Sequence, residues 1–454
     1  MKIILLSGGS GKRLWPLSNE ARSKQFLKIL RNSDGQMESM LQRVWRQLSN
    51  VGLAESTLFA TSGNQVDMIK QQVGTDARII VEPERRDTFP AIALASAYLY
   101  SNLGVDPGET VIVLPVDAYV EDGFFENLRQ LNAVLDRSEA SLALIGVQPT
   151  YPSSKYGYIV PEPSASLEDP YAKVCSFREK PSEEEAERLI GEHGALWNCG
   201  VFAFRLESVI ERLYEYEVPL QYELLAKKYT ELKKTSFDYE IVERSDNIVV
   251  MPYKGYWKDL GTWNTLTEEM AVSQIGKSVL SEDSHNTHII NEMQVPVTVL
   301  GLSNIIVAAS PDGILVSDKA ASPRLKEFIL FDQRPMYQEH EWGCSRVLDH
   351  HRLTEGGEVL TSRISVMAGK QTPVEAHFRR TEIWNVLSGA GEAYVDGKII
   401  ALASGSVIQI PPRARHGLKA NTEMELVEIR TGETFDEEDV VEFALKWGET
   451  ETAV

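Results

Sequence analysis

A glycine-rich loop with two basic residues follows the first apolar segment of the chain. Residues 7–13 read SGGSGKR and come directly after IILL. Glycines let the backbone approach an anion closely, and lysine and arginine neutralise its charge, so this composition is typical of a phosphate-binding loop. The two standard motifs are excluded, because Leu6 stands where a P-loop needs its first glycine and Leu14 where a dinucleotide fingerprint needs its third. A Gly-rich turn without a ligand is the alternative at this stage.

Two aspartates are candidate metal ligands. Asp117 ends the apolar segment ETVIVLPVD, and Asp259 lies in the aromatic motif YWKDLGTW. Carboxylate oxygens are ligands that Mg²⁺ prefers, although each residue could equally be an ordinary turn or capping aspartate. Glycines, cations and metal-binding carboxylates suit phosphate chemistry, in which catalysis depends mainly on positioning and charge neutralisation.

The distribution of charge favours a local anion site. The 454-residue chain has a formal net charge of −20 and a pI of about 5.0, which argues against a nucleic-acid or anionic-membrane partner. Residues 1–31 depart from this acidic average, because seven basic residues accompany one acid, Glu20, there. The basic residues of this segment are Lys2, Lys12, Arg13, Arg22, Lys24, Lys28 and Arg31.

Cysteine usage and hydropathy favour a cytoplasmic protein. Cys175, Cys199 and Cys344 are scattered without a C-x-x-C motif, as is typical of a reducing compartment. The apolar N-terminal segment is too short for a signal peptide, and the sequence has no run of about 20 apolar residues that would span a membrane. We therefore expect a cytoplasmic location and no membrane partner.

Alternating strands and helices must position the glycine loop and Asp117. Apolar segments such as KIILLS, TLFATS and SLALIGVQP predict strands, whereas ESMLQRVWRQL and FPAIALASAYLY predict helices. This order predicts a Rossmann-like α/β domain over residues 1–268, with a mostly parallel mixed sheet. Ligands bind such sheets beyond the carboxyl ends of the strands, where both the glycine loop and Asp117 fall.

The rest of the chain is predicted to be rich in β structure. Residues 269–332 have β-branched residues and turns with little helical periodicity, which predicts a small β domain, with a left-handed β-helix as a candidate form. Residues 333–454 have short strands separated by Gly and Pro turns, which predicts a β-barrel or jelly roll. We expect a linker over residues 332–343 and a final helix at EEDVVEFALKWG.

Six motifs in the first domain occur together and in a characteristic order. They are GGSGKRLWPLS (8–18), SKQFL (23–27), EPERRDTFPAIALA (82–95), LPVDAYV (114–120), FREKP (177–181) with WNCGVF (197–202), and YWKDLGTW (256–263). Through them residues 1–330 resemble the sugar-1-phosphate nucleotidyltransferases, most closely the mannose-1-phosphate guanylyltransferase branch. Four positions depart from the family pattern, where Ser7, Ser23, Asp87 and Cys199 replace Ala, Pro, Asn and Ser.

The resemblance implies a reaction in which a sugar-1-phosphate oxygen attacks the α-phosphorus of a nucleoside triphosphate and pyrophosphate leaves. It implies GTP and mannose-1-phosphate as substrates, GDP-mannose as product and Mg²⁺ as cofactor. The nucleophile is already anionic near neutral pH, so no strong general base is required. The alternatives are another pair of nucleotide and sugar phosphate, or a nucleotide-sugar sensor without catalysis. Analogy also suggests a homodimer formed through the small β domain.

Family analogy assigns roles to individual residues. Arg13 and Lys24 would neutralise the triphosphate and the pyrophosphate, Asp117 and Asp259 would hold Mg²⁺, and Lys180 would contact the phosphate of the sugar. The expected substrate-binding residues are Gly8, Gly9 and Gly11 at the triphosphate, and Glu179, Asn198 and Gly200 at the sugar. For Arg85 and Arg86, a solvated charge pair and a nucleotide contact are both open.

The last domain resembles a second family. AHFRRTEIWNVLSGAGEAYVDGK and SGSVIQIPPRARHG are similar to the two motifs of a cupin barrel, specifically the type II mannose-6-phosphate isomerase domain fused to guanylyltransferases. Matching positions leave His377, Glu382 and His416 as candidate ligands of a divalent metal, where the family pattern has four. Arg379 replaces a family histidine and would repel a metal. The domain is either an isomerase that makes the chain bifunctional or, the interpretation we favour, a retired cupin with a structural, dimerising or sugar-phosphate-sensing role.

Overall fold

A computed structural model describes residues 1–9, 12–19, 21–163, 166, 168–329, 334–354, 356–433, 435 and 439–443. The chain divides into two compact units. The first unit comprises Met1–Leu14, Ser23–Ser273 and Lys319–Arg324, and the second comprises Trp15–Arg22, Gln274–Asp318 and Leu325–Val454. Within the described ranges, no helix combines the length and apolar character that crossing a membrane requires.

The first unit is built around a nine-stranded mixed sheet. Its strands, with four short ones outside that sheet, are β1 (Lys2–Ser7), β2 (Leu30–Arg31), β3 (Met37–Glu38), β4 (Thr57–Ser62), β5 (Ile79–Glu82), β6 (Thr110–Pro115), β7 (Ala118–Val120), β8 (Leu142–Val147), β9 (Gly157–Pro161), β10 (Ala172–Glu179), β11 (Leu196–Arg205), β12 (Ile248–Tyr253) and β13 (Trp257–Asp259). The sheet order is β5-β4-β1-β6-β11-β8-β12-β10-β9. The neighbours from β5 to β6 are parallel, as are β8 and β12, and the other pairings are antiparallel.

Helices cover both faces of this sheet, where two apolar clusters form the core. They are α1 (Met40–Asn50), α2 (Val66–Val73), α3 (Thr88–Ser101), α4 (Gly123–Ser138), α5 (Glu183–His193), α6 (Leu206–Glu215), α7 (Tyr222–Lys227), α8 (Phe237–Glu240) and α9 (Trp263–Glu269). Helix α1 begins with a capping box, in which Ser39 and Gln42 satisfy each other's backbone amides. The mixed α/β architecture expected from the sequence is confirmed.

The central strands explain why the glycine loop and Asp117 lie at one sheet edge. Ile3, Ile4 and Leu5 of β1 are fully buried between β4 and β6, as expected for a parallel strand covered on both faces. The apolar segment ETVIVLPVDAYV, which contains Asp117, does not form one continuous strand. It divides, because β6 ends at Pro115 and β7 begins at Ala118, which leaves Asp117 in the turn between them. Strand β7 then pairs with β13 as a separate two-stranded ribbon.

The second unit begins with a small β region. Its strands are β14 (Gln274–Ile275), β15 (Ser278–Leu280), β16 (His288–Asn291), β17 (Val297–Val299), β18 (Ile305–Ser310) and β19 (Gly313–Asp318). Parallel ladders join β14, β16 and β18, and another joins β15 and β17, so successive turns of the chain stack on one another. Arg22 anchors the segment Trp15–Arg22 here, because its guanidinium donates to both carboxylate oxygens of Glu292 at 2.9 Å.

The remaining strands form the two sheets of a barrel. They are β20 (Tyr337–His340), β21 (Gly343–Arg352), β22 (Glu358–Val366), β23 (Val374–His377), β24 (Arg380–Ser388), β25 (Ala390–Val395), β26 (Lys398–Ala403), β27 (Val407–Ile410), β28 (His416–Ala420), β29 (Met424–Gly432) and β30 (Val440–Phe443). One sheet has the order β20-β21-β22-β29-β24-β27 and the other β26-β25-β28-β23-β30. The predicted β-barrel is confirmed.

Two local predictions for this region are wrong. The segment 332–343 was expected to be a linker, but Tyr337–His340 forms strand β20 and pairs with β21. The final segment EEDVVEFALKWG is predicted to be a helix, but within its described part, residues 439–443, Val440–Phe443 pairs antiparallel with β23. The β-branched valines of that segment suit a strand, and an available edge of β23 supplies the ladder that local periodicity does not reveal.

Candidate functional site

Lys24 lies between the two predicted metal ligands. Its Nζ is 2.9 Å from Oδ2 of Asp117 and 3.4 Å from Oδ1 of Asp259. The ribbon of β7 and β13 brings the aspartates together, because Asp259 pairs directly with Ala118, the residue after Asp117. Residues 142 positions apart in sequence therefore converge on one ammonium group, and the sequence prediction that these three side chains share a site agrees with this geometry.

The electrostatics of this cluster fit a cation site. Burial alone would favour the neutral acid, but the ammonium of Lys24 lowers the pKa of Asp117 below its usual value. Burial likewise opposes the charged form of Lys24, but Asp117 and Asp259 raise the pKa of this lysine. Two carboxylates turned toward a single positive charge are an oxygen-only donor set, which suits a hard divalent cation such as Mg²⁺.

Arg13 and the glycine loop border the same cluster. Arg13 is exposed in the 3₁₀ helix Lys12–Leu14, and a Cβ at Gly261 would lie 3.4 Å from Nη1 of Arg13 and 2.9 Å from Oδ2 of Asp259. The hydroxyl of Ser23 donates to the carbonyl of Gly9 at 3.1 Å, which holds the loop beside Lys24. Gly8 is exposed in the same loop. Gly11 lies outside the described residues.

A second polar cluster contains the residues expected to bind the sugar. Lys180 forms an ion pair with Glu179, and the Nδ2 of Asn198 donates to Oδ1 of Asp238 at 2.7 Å. Lys180 has a φ of 50°, a left-handed conformation that non-glycine residues adopt rarely and mostly at functional positions. Gly200 lies in the irregular part of β11 after Asn198, with a φ of 75° and its amide donating to Oδ1 of that side chain at 3.1 Å.

Asp238 is a member of this cluster that the sequence did not reveal. Burial, reinforced by the nearby charge of Glu179, raises the pKa of Asp238 to about 7. Gly157 leaves room for the cluster, because a Cβ there would lie 2.5 Å from Oε2 of Glu179. The short helix α8 that carries Asp238 has no motif or spacing that marks it in the sequence.

Aromatic residues connect the two clusters. The backbone carbonyl of Tyr156 accepts a hydrogen bond from the amide of Lys180 at 3.2 Å, and its ring packs edge-on against Trp257 with centroids 5.6 Å apart. Trp257 is two residues before Asp259 on β13. Trp197, next to Asn198, completes the contact at 4.8 Å from Tyr156. The cluster around Lys180 and the cluster around Lys24 therefore border the same group of aromatic residues in the first unit.

Arg86 makes contacts outside both clusters. Its Nε donates to the carbonyl of Leu232 at 3.0 Å, and its guanidinium pairs with Glu84. The contact with Glu84 is a charge pair, one of the two alternatives for this residue, and the nucleotide contact stays a prediction.

A third polar cluster is buried in the barrel and contains the predicted cupin residues. The Nε2 of His377 lies 2.9 Å from Oε1 of Glu382, and the Nε2 of His416 lies 3.3 Å from Oε2. Both oxygens of Glu382 and Nε2 of His416 are buried and lack a hydrogen bond, although ion-pair contacts with the neighbouring imidazoles and arginines surround Glu382. The Nδ1 of His416 faces the carbonyl of Ala414 at 2.9 Å, which turns the Nε2 lone pair toward the cluster.

Glu375 supplies the fourth potential ligand that the sequence comparison lacked. Its carboxylate, His377 and His416 offer ligand atoms that all lie within 4.8 Å of one another. Glu375 and His377 are two apart on β23, so they face the same side of the sheet. With His377 as a candidate ligand, strand alternation alone predicts that Glu375 faces the same side. Two imidazoles and two carboxylates fit a divalent metal ion.

The buried arginines of this cluster are not the one expected from the sequence. Arg379 is exposed, so it does not stand beside the ligands, and the prediction that it repels a metal is wrong. Arg380 is buried instead, with Nη2 2.7 Å from Nδ1 of His377, and Nε of Arg430 lies 3.2 Å from Oε1 of Glu382. Burial opposes ionisation of Glu382, but the neighbouring imidazoles and Arg430 hold its pKa well below the usual value.

Comparison with known proteins gives two family matches. Residues 2–274 match the nucleotidyl transferase family, and residues 333–444 match the C-terminal domain of mannose-6-phosphate isomerase. Mannose-1-phosphate guanylyltransferase from Klebsiella pneumoniae is 29% identical and covers 98% of this chain and 99% of its own length. The enzyme of that name from Escherichia coli K12 is 29% identical, with 98% of both chains covered. These matches confirm the resemblance carried by the motifs.

Solved structures give the same result for the first part of the chain. The crystal structure of mannose-1-phosphate geranyltransferase from Thermus thermophilus is 29% identical and superposes with a TM-score of 0.59. It covers 72% of this chain and 98% of that chain.

Proposed function

The chain belongs to the nucleotidyl transferase family, and on this premise we propose that it transfers a guanylyl group from GTP to mannose-1-phosphate in a Mg²⁺-dependent reaction. The products are GDP-mannose and pyrophosphate. Relatives named mannose-1-phosphate guanylyltransferase, aligned over nearly their whole length, support this choice of nucleotide and sugar.

The observation that carries the proposal is the convergence of Asp117 and Asp259 on the ammonium of Lys24. Two carboxylates and a lysine at the carboxyl end of a central strand suit the recognition of a metal triphosphate. When bound by these carboxylates, Mg²⁺ supplies positive charge to the triphosphate oxygens.

The chain's own residues then have distinct tasks. Arg13 and Lys24 neutralise the charge of the triphosphate and of the departing pyrophosphate. Lys180 holds the phosphate of the sugar so that its oxygen faces the α-phosphorus. That oxygen forms the new bond as the bond from the α-phosphorus to the pyrophosphate breaks, and no protein base is needed because the phosphate is already ionised near neutral pH.

Recognition of the sugar falls to the second cluster. Glu179, Asn198 and Asp238 present carboxylate and amide groups that suit sugar hydroxyls, and the aromatic wall of Tyr156, Trp197 and Trp257 suits the apolar face of a hexose. Hydrogen bonds to fixed hydroxyls discriminate sugars strongly, because a wrong partner leaves buried polar groups unpaired.

The test compares purified Asp117→Asn and Asp259→Asn with the parent, measuring pyrophosphate release from GTP and mannose-1-phosphate. We expect turnover to fall by about 10²–10³ in each, the scale for losing one electrostatic contact to the transition state. Asp136→Asn is the matched control, because that aspartate pairs with Arg205 and is half exposed. Near-parental turnover in both variants would refute the metal assignment. Replacing GTP by ATP, UTP or CTP in the same assay tests the nucleotide.

A second candidate function concerns the cupin barrel. We propose that Glu375, His377, Glu382 and His416 hold a divalent metal there, which keeps interconversion of mannose-6-phosphate and fructose-6-phosphate open as a second activity. The convergence of Glu375, His377 and His416, and the lack of a hydrogen bond at the buried oxygens of Glu382 and Nε2 of His416, support this proposal. The assay is isomerisation by the full chain supplied with Zn²⁺, Co²⁺ or Mn²⁺. Metal binding without isomerisation would leave a sensing or structural role.

A further inference from the structure

The aspartates proposed to bind Mg²⁺ lie at the ribbon of β7 and β13, which needs contacts with other elements to be stable. Strands β7 and β13 pair only with each other among the described strands, over three residues each. An isolated two-stranded ribbon is marginally stable in water. Whatever fixes this ribbon therefore also fixes the separation of Asp117 and Asp259.

Helix α1 supplies that support through the backbone carbonyl of Val120, the last residue of β7. The Nη2 of Arg43 and the Nε2 of Gln47 both donate to this carbonyl at 3.2 Å. The guanidinium of Arg43 also lies over the ring of Tyr119, 4.4 Å from its centroid. One helix face thus holds both the backbone and a side chain of the strand that follows Asp117.

Arg43 and Gln47 are themselves held in place. Arg43 is mostly buried and pairs with the buried carboxylate of Glu38 at 3.3 Å. Gln47 is 1% exposed, and its Nε2 also donates to Asp122 at 2.8 Å, just beyond β7. The capping box at Ser39 fixes the start of the helix that carries both residues. Helix α1 therefore holds the ribbon through the carbonyl of Val120, at the end away from the aspartates.

We infer that Arg43 and Gln47 are positioning residues for the metal site, acting through Val120 and Tyr119 on the β7–β13 ribbon. The inference rests on the proposed role of Asp117 and Asp259. It predicts that removing these contacts raises the Mg²⁺ concentration that activity requires, while the residues that contact the substrates stay in place.

The first test is amide hydrogen exchange in the metal-free protein. Arg43→Met and Gln47→Leu should speed exchange in residues 118–120 and 257–259 by about tenfold, the equivalent of one lost charge-assisted hydrogen bond. Arg46→Met is the matched control, because Arg46 lies on the same helix and also binds Glu38, at 3.1 Å, but its contact nearest to the ribbon is with Asp122, 3.9 Å away and beyond the end of β7. Unchanged exchange in the ribbon, or equal acceleration in the control, would overturn the inference.

The second test is the Mg²⁺ concentration for half-maximal activity with both substrates saturating. We expect this concentration to rise about tenfold in Arg43→Met and Gln47→Leu, as is common when residues behind metal ligands are lost, with turnover recovering in excess Mg²⁺. A fall in turnover that excess Mg²⁺ does not restore would contradict positioning. Asp117→Asn distinguishes the proposed metal site from the proposed role of Arg43 and Gln47. If Asp117→Asn leaves the Mg²⁺ dependence of activity unchanged, the metal site itself is refuted. If Asp117→Asn changes this dependence but Arg43→Met and Gln47→Leu do not, only the role of Arg43 and Gln47 is refuted.

Discussion

Replacing Lys24 by methionine should make the stability of the first unit depend on Mg²⁺. The ammonium group neutralises Asp117 and Asp259, and the variant leaves these two carboxylates facing each other without a cation. Methionine keeps the length of the apolar stem, so the change isolates the charge. A divalent cation that binds the same two carboxylates would then replace the missing charge.

The size of the effect follows from the distances and the exposure. At 2.9 and 3.4 Å, each ion pair is worth about 5–6 kcal/mol of gross attraction at an effective dielectric constant of about 20. Much of this attraction is offset by the cost of removing Lys24 from water. Breaking a fully buried pair costs about 3–5 kcal/mol and an exposed pair about 0–1 kcal/mol. The lysine side chain is 16% exposed and the aspartates are 32% exposed, so we expect about 2 kcal/mol.

Differential scanning calorimetry with EDTA and with excess Mg²⁺ measures this effect. In EDTA the first unit of Lys24→Met should unfold about 4 °C below the parent, at about 2 °C per kcal/mol for a large domain. In Mg²⁺ the difference should close, while turnover remains low because a phosphate-binding cation is absent. Lys28→Met, an exposed lysine in the same basic segment, is the matched control. Equal unfolding temperatures in EDTA, or an equal gain from Mg²⁺ in both proteins, would refute the reasoning.

Two further predictions concern the other polar clusters. The folded pKa of Asp238, about 7, exceeds its usual value of 3.8, so its contribution to stability is full below about pH 4 and is lost as the pH rises through about 7. In urea unfolding between about pH 5 and 8, this loss of unfolding free energy with rising pH should be absent from Asp238→Asn. The same pH dependence in the variant and the parent would show that the pKa of Asp238 is not raised. In the barrel, Glu375→Gln should reduce the metal retained after dialysis by about tenfold in elemental analysis, whereas Glu425→Gln should not; equal retention would remove Glu375 from the ligand set.

Local sequence patterns predict individual candidate site residues, but they do not predict the contacts among them. The strand β1, its glycine loop and Asp117 follow from local patterns, since a short apolar segment before glycines is a strong signal. The ribbon that joins Ala118 to Asp259 does not, because a pairing between segments so distant in sequence leaves no local periodicity. Asp238 escaped for a related reason: only the tertiary fold brings helix α8 against Asn198.

The errors in the barrel have a common physical cause. Strand alternation predicts Glu375 beside His377, but it stops at the turn after His377, where β23 ends and β24 begins at Arg380. The match to the cupin motif placed Arg379 at a histidine position, whereas Arg380 is the buried arginine. The final segment was similarly taken from its own composition, although pairing with β23 decides its conformation.

Both metal-site candidates are clusters of carboxylates held by resident cations, and the identity of each cation predicts how readily a metal can enter. Lys24 carries a compact charge on a flexible stem, so it can withdraw toward a phosphate when a divalent ion arrives. Arg430 is a planar group fixed between Glu382 and Glu428, with Nη2 2.7 Å from the latter. Withdrawing it would remove an ion pair from the buried carboxylates of Glu382 and Glu428, at a cost of several kcal/mol. Metal exchange should therefore be fast at Asp117 and Asp259 and slow in the barrel, a difference that metal-release kinetics with a chelator would measure directly.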